Sequence, residues 1–251
     1  MKCIRTISFR FNVLTLGVVA TLASCNREDS PDCFQSAGQT SAEYRDLADF
    51  SSVELNDYIQ FELLDTNYYG VVITAPNNLI NDIETEVIDG KLSVRNANRC
   101  NFVRSFKNRI TVRICAPDFR DIQNYGTGNI ISVNVLTGVL FSLDNRGAAG
   151  MQRLTINADT VNVSSHTGVS DAIIDGECDA AYLFCQGVGY IDARNLVANS
   201  AFVNNSSLND VFVHAHDYLY GYIRFSGNIF YVGEPQAIDS LVEGAGAVQA
   251  L

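Results

Sequence analysis

Between Phe141 and Val232 the chain repeats itself. Written in rows of twenty residues, its third positions read Leu143, Val163, Leu183, Val203 and Ile223, and its first positions read Phe141, Val161, Ala181, Ala201 and Gly221. The seventh positions, Gly147, Thr167, Gly187, Ser207 and Gly227, are small every time. A fixed period near twenty marks a solenoid, in which each repeat buries its apolar face only against its neighbours. Successive strand residues alternate faces, so apolar first and third positions point inward and flank an outward second one. A second inward pair follows later in the row, as Ile191 with Ala193 and Val211 with Val213. Two or three short strands per turn, divided by Gly, Ser, Thr and Asn, predict an all-β parallel β-helix with coils stacked about 4.8 Å apart. Helix-pair repeats run longer, at about 33 to 47 residues, with 3.6-residue periodicity, and a leucine-rich repeat would show a Leu and Asn ladder that is absent. An ordinary β-sandwich with accidental alignment is the competing fold.

The first residues do not belong to that fold. Lys2, Arg5 and Arg10 form a positive leader, Phe11 to Leu22 is an apolar run too short to span a bilayer, and Leu22-Ala23-Ser24 precedes Cys25. This reads as a secretory signal over residues 1–24. The Leu-Ala-Ser-Cys ending resembles a bacterial lipobox, which implies acylation of Cys25 and a membrane partner reached through lipid. The run Asn26-Arg27-Glu28-Asp29 resembles the tag that directs some lipoproteins to the outer face of the outer membrane, so the cell surface is the expected address ahead of the periplasmic face. Residues 25–43 read as a lipidated tether and 44–251 as the β-helical head, with room for two lobes.

Removing the leader takes the formal charge from −11, by three, to −14. No cluster of Lys and Arg offsets it, which argues against nucleic acid as a partner. Of seven cysteines, Cys3 leaves with the leader and Cys25 is the lipid site. In an oxidising compartment the others are expected to pair. Cys33 with Cys100 is the disulfide read here, because both lie in loop-like sequence outside the repeat. Cys178 with Cys185 is a second candidate pair, and Cys115 is left over. Connectivity is not determined by sequence.

Ahead of the repeat, Phe50, Val53, Leu55, Ile59, Phe61 and Leu63 alternate with polar residues, Val71 and Ile73 flank Val72, and Leu92 and Val94 flank Ser93. These are strands. Asn77-Asn78-Leu79-Ile80 and Asp89-Gly90 read as turns, the second a strong hairpin or coil-turn signal.

The order of several short motifs then carries a resemblance. It runs from Asp32-Cys33-Phe34 and Phe50-Ser51-Ser52-Val53-Glu54-Leu55 to Ile83-Glu84-Thr85-Glu86-Val87, with Asp89-Gly90-Lys91-Leu92 after it. It continues through Asn98-Arg99-Cys100-Asn101-Phe102-Val103-Arg104-Ser105, Tyr125-Gly126-Thr127-Gly128-Asn129-Ile130 and Gly227-Asn228-Ile229-Phe230-Tyr231. In this order the chain resembles the auto-transporter adhesin, head-GIN domain family of bacterial secreted proteins. The resemblance implies a right-handed parallel β-helix and an adhesive role, and supplies no catalytic residue. Fold does not by itself imply function.

Candidate chemistry is sparse. Asp171, Asp175, Glu177 and Asp179 are close in sequence, with Asp192 and Asp210 on later coils, and a polysaccharide-active enzyme would need such carboxylates in pairs on one groove. Carboxylates at coil turns are more often solvated. His214 and His216 flank Ala215 on one strand face, with Asp210 or Asp217 near enough to complete a metal site, but two alternating histidines are more often surface polar groups and no metal is expected. Ser165, His166 and Asp171 lack a nucleophile-elbow context. Gly126-Thr127-Gly128 and Gly244-Ala245-Gly246 precede no helix and read as coil turns. No cofactor motif is present.

The strongest binding candidate is an outward aromatic stripe. Second positions read Asn162, Tyr182, Phe202 and Tyr222, with rings expected about 5 Å apart, and the fourth positions Ser164, Phe184, Asn204 and Arg224 form a mixed polar rim. Tyr182, Phe202, Tyr222 and Arg224 are therefore the expected ligand-binding residues, with Arg224 placed to orient a carboxylate. Exposed aromatic patches stack on sugars or bury against proteins. The expectation is a non-catalytic envelope lipoprotein that contacts a glycan or an extracellular protein. An assembly protein with the stripe as oligomer interface is the alternative, and a polysaccharide-active enzyme comes third.

Overall fold

The computed structural model describes residues 37–98 and 109–251. Cys25, Cys33, Cys100 and the tether up to residue 36 lie outside the described residues. The repeat forms the longest strands: β10 (Leu136–Ala148), β11 (Met151–Gly168), β12 (Asp171–Cys185), β13 (Ile191–Asn205) and β14 (Val211–Ile223). Each pairs in parallel with the next, so this is a parallel β-solenoid with coils of about twenty residues, in which Phe141, Val161 and Ala181 share one register and Leu143, Val163 and Leu183 another. The inward columns are closed to solvent, with Leu143, Val161, Val163, Ala181 and Ala201 at 0% exposure. Each such Val or Leu contributes about 1.5 to 3 kcal/mol by leaving water.

Burial shows how one coil becomes three faces. Along β13 the inward residues are Ile191 and Ala193, then Leu196 and Ala198, then Ala201, Val203 and Asn205. Two consecutive outward residues separate the runs at 194–195 and again at 199–200, and the slip in alternation turns the chain. Position five of the last face carries buried polar residues, Asn124, Asn145, Ser165 and Asn205, with Cys185 between the last two. They are not orphaned. Asn124 Nδ2 donates to Asn145 Oδ1 at 2.8 Å, and Asn205 Nδ2 donates to the carbonyls of Asn209 at 2.9 Å and Asn228 at 3.0 Å. A buried polar group is tolerated only with such partners.

The first half is threaded differently. Strand β2 (Ser52–Leu55) lies between β6 (Lys91–Asn96) and β8 (Asp121–Asn124), parallel to both. Likewise β3 (Gln60–Asp65) lies between β7 (Thr111–Ala116) and β9 (Ile130–Ser132). The coil formed by β6 and β7 therefore sits outside the one that precedes it in sequence. At this end antiparallel strands close the stack: β4 (Gly70–Pro76) pairs with β7 and with β1 (Thr40–Asp46), and β5 (Ile83–Ile88) pairs with β6. Asp89 and Gly90 make the β5–β6 hairpin turn with φ of 50° and 74°. Residues 77–80, expected as a turn, form a one-turn helix, α1 (Asn77–Ile80), that buries Leu79 and Ile80. Among the described residues the first strand, β1, begins at Thr40 and hydrogen-bonds along β4.

At the other end β15 (Ile229–Val232) and β16 (Ala237–Val242) pair with β14, and β17 (Val248–Ala250) pairs with β15. Among the described residues the seventeen strands join one hydrogen-bonded system.

Cys115, Cys178 and Cys185 are buried free thiols, so the pairing of Cys178 with Cys185 is not made. A corner explains it. Cys178 ends one face and Cys185 ends the next, with the outward Asp179 and Ala180 turning the chain between them. Burial pushes the Cys178 thiol up to about 12 and raises that of Cys185, which leaves both unreactive.

Candidate binding groove

Parallel in-register pairing stacks the outward side chains of one position along the solenoid axis. One outward column runs from Asp121 through Ser142, Asn162, Tyr182 and Phe202. The Tyr182 and Phe202 rings lie face to face, with centroids 4.8 Å apart and planes 9° from parallel. The next member is Tyr220, not Tyr222. His214 follows Val213 directly, whereas three residues separate Ala193 from Val197, and one residue is regained before Tyr218, so this coil is two residues short of twenty. The twenty-residue grid therefore holds through Val213 and misplaces the columns from His214 onward.

Tyr222 consequently falls in the adjacent column, after Ser164, Phe184 and Asn204. Arg224 lies just beyond β14, with its guanidinium carbon 5.8 Å from the centre of the Tyr222 ring. The two columns enclose a groove of about 530 Å³, lined by Ser142, Asn162, Ser164, Tyr182, Phe184, Phe202, Asn204, Tyr220 and Tyr222. Of the residues expected from sequence, Tyr182, Phe202 and Tyr222 meet there, and Arg224 stands at the edge.

Two tyrosine hydroxyls of β14 are tied down. Tyr222 Oη donates to Glu243 at 2.8 Å and Tyr218 Oη donates to Asp239 at 2.9 Å, which links β14 to the coil that follows. These bonds to carboxylates raise both phenol pKa values. A phenol whose folded pKa is raised keeps its hydrogen bond below the unfolded value, near 10, and loses it as pH rises through the folded one. An ultraviolet titration should therefore show Tyr222 and Tyr218 ionising after ordinary surface tyrosines. Glu243→Gln should bring one late-titrating group back to the ordinary range, and an unchanged titration curve would contradict the hydrogen bond.

The five candidate aspartates are spent on structure. Asn195 donates to Asp175 at 3.0 Å and Asn199 to Asp179 at 2.9 Å, which ties neighbouring coils. Two hydrogen bonds from Arg194 hold Asp192 below the ordinary carboxylate range. Asp171 accepts from the Tyr190 amide and Asp210 from the Asn228 amide. His216 Nδ1 lies 2.8 Å from Asp217, while His214 Nδ1 lies 3.3 Å from the Arg194 carbonyl. Among the described residues no three His, Cys, Asp or Glu gather as metal ligands. Ser165 is buried beside Asn145, while His166 points to Asp144 at 3.0 Å, so Ser165, His166 and Asp171 form no triad.

Two features escape the twenty-residue columns. Tyr220 is one, and the stacked pair Phe212 and Phe230 on another face is the second, with centroids 5.4 Å apart and Arg194 4.6 Å over Phe212. In both cases the signal is an eighteen-residue spacing.

Solved structures share this fold. A putative adhesin from Bacteroides fragilis NCTC 9343 is 23% identical with a TM-score of 0.78, over 85% of this chain and 97% of that one. A putative adhesin from Parabacteroides distasonis ATCC 8503 is 18% identical at a TM-score of 0.66, over 85% and 98%. A protein from the same organism described as a putative lipid binding protein is 19% identical at 0.64, over 85% and 97%. No curated protein matches the chain. The sequence pattern described as "Putative auto-transporter adhesin, head GIN domain" matches residues 49–235, and the chain belongs to that family.

Proposed function

We propose that this chain is a lipid-anchored protein of the cell envelope that binds a ligand without transforming it, and that the aromatic groove is its contact surface. The observation that carries the reading is the coplanar Tyr182–Phe202 pair on the outer face of a rigid parallel sheet, within a groove of about 530 Å³. Such a surface has a reason to be kept. Exposed aromatic area costs solubility unless something covers it. Membership of an adhesin family favours an external partner and an envelope location.

The sheet order supports presentation outward. Strand β1, where the described chain leaves the tether, and β17 are at opposite ends of the stack. Acylation of Cys25 attaches the chain through the segment that precedes β1, and the groove lies on the later coils.

The test is binding of the full chain, purified in mild detergent, to glycans and extracellular-matrix proteins, beside a variant with Tyr182, Phe202 and Tyr220 all changed to Ser. The variant should fold, lose its ligand and keep its oligomeric state. Loss of self-association in its place would establish the assembly alternative, and unchanged binding would remove the groove from the function. Metabolic labelling with palmitate should mark the wild type and not Cys25→Ser.

A further inference from the structure

We propose, building on the binding reading above, that the groove takes an uncharged saccharide, with one sugar ring against the face of Tyr182 that Phe202 leaves open. Because the rings stack along the axis, Phe202 covers one face of Tyr182 and the other looks toward the preceding coils. Tyr182 is 46% exposed although it is half of a stacked pair. The two preceding members of its column, Asn162 and Ser142, are short and polar, so the aromatic ladder stops in a step. Two coils provide about 10 Å of ledge beside that face, which is room for a short saccharide.

The polar groups on this ledge are unspent. On other stretches, polar side chains of adjacent coils pair with each other, as Asn195 with Asp175 and Asn199 with Asp179. The side chains of Ser142, Asn162 and Ser164, and the hydroxyls of Tyr182 and Tyr220, make no hydrogen bond to another described residue. An apolar wall beside a few free donors and acceptors is the composition of a small-ligand site. It matches a pyranose, which has C–H faces and a rim of hydroxyls that both donate and accept.

Charge and backbone narrow the class. No Lys, Arg, Asp or Glu lines the groove. Of the charges at its ends, Asp144 is paired with Arg146, Asp121 accepts from Ser52 and Gln123, and Arg224 stands beside Tyr222 at the far edge. A charged ligand at the open face of Tyr182 therefore finds no free counterion. An extended peptide is best bound at a free sheet edge, through its backbone. Here the strands under the groove are paired on both sides, which leaves only side chains to offer.

Calorimetry on the full chain in mild detergent tests this with cello-, malto-, manno- and xylo-oligosaccharides, against heparin, polysialic acid and a proline-rich peptide. At least one neutral oligosaccharide should bind. Tyr182→Ala should weaken it about tenfold and Asn162→Ala about threefold, while Phe212→Ala on another face changes nothing. Tyr182→Leu, which keeps bulk and removes the ring, should behave as Tyr182→Ala does. Binding only to the anionic polymers or the peptide, or neutral binding that survives both Tyr182 variants, overturns the proposal. If matrix proteins bind and are lost in the triple Ser variant while no neutral saccharide binds, the groove keeps its function and the saccharide falls. If nothing binds at all, both fall.

Discussion

Val203→Asp should unfold the solenoid at neutral pH. Val203 is 1% exposed and lies in the inward column that follows Leu143, Val163 and Leu183. The next coil offers no relief. Its register partner is Gly221, and the space over that glycine is filled, with Val248 Cγ2 2.8 Å and Ile229 Cδ1 3.3 Å from where a Cβ would stand. Losing the buried valine costs about 2 kcal/mol, and an unpaired carboxyl in its place costs several more. The sum approaches the roughly 5 to 15 kcal/mol that holds a domain together. Because each coil is stabilised by its neighbours, damage at β13 also separates the coils on either side. Burial raises the pKa of the introduced carboxyl, so the loss should be smallest below pH about 4 and should grow as pH rises above it. Circular dichroism melts at acid and neutral pH read both effects. A melting temperature within about 2 °C of wild type at neutral pH would show that this position does not face the core.

Gly189→Ala is the second large effect, and its cause is space, not backbone conformation. A Cβ on Gly189 would stand 1.7 Å from the Ser170 carbonyl oxygen of the preceding coil. Backbone meets backbone there, so no side chain can move aside. The two coils must separate, against the bonds Val188 N to Gly168 O and Ala172 N to Tyr190 O, each 3.0 Å. Overpacking and weakened hydrogen bonds together cost about 3 to 5 kcal/mol, which lowers the melting temperature by about 10 °C. Gly90→Ala is the contrast. Gly90 has nothing within 4 Å of its would-be Cβ but a φ of +74°, so strain alone should cost about 1 kcal/mol. If the two variants melt alike, close coil contact at Gly189 is not what requires glycine.

The same distinction separates what was legible in the chain from what was not. The columns through Leu143, Val163, Leu183 and Val203 could be read because each inward residue must be apolar whatever lies above it. The Asp89-Gly90 hairpin was legible for a local reason, since both residues need positive φ. The aromatic stripe was visible as far as Phe202. Its next member was missed because a coil can lose two residues at a corner without changing any residue's hydrophobicity. Only the hydrogen-bonded register moves Tyr220 into line and Tyr222 aside.

By itself, then, the sequence determined the fold class, the inward residues of the repeat and the column that holds Tyr182 and Phe202, because alternation and period are properties of neighbours along the chain. Tertiary structure alone decided that β2 and β3 lie between coils that follow them in sequence. It alone decided that Cys178 and Cys185 stay apart as thiols, and that Tyr182 keeps an open face above unpaired polar groups. Those outcomes depend on which strand edge meets which, and the free energy of that choice is spread over contacts between residues far apart in the chain.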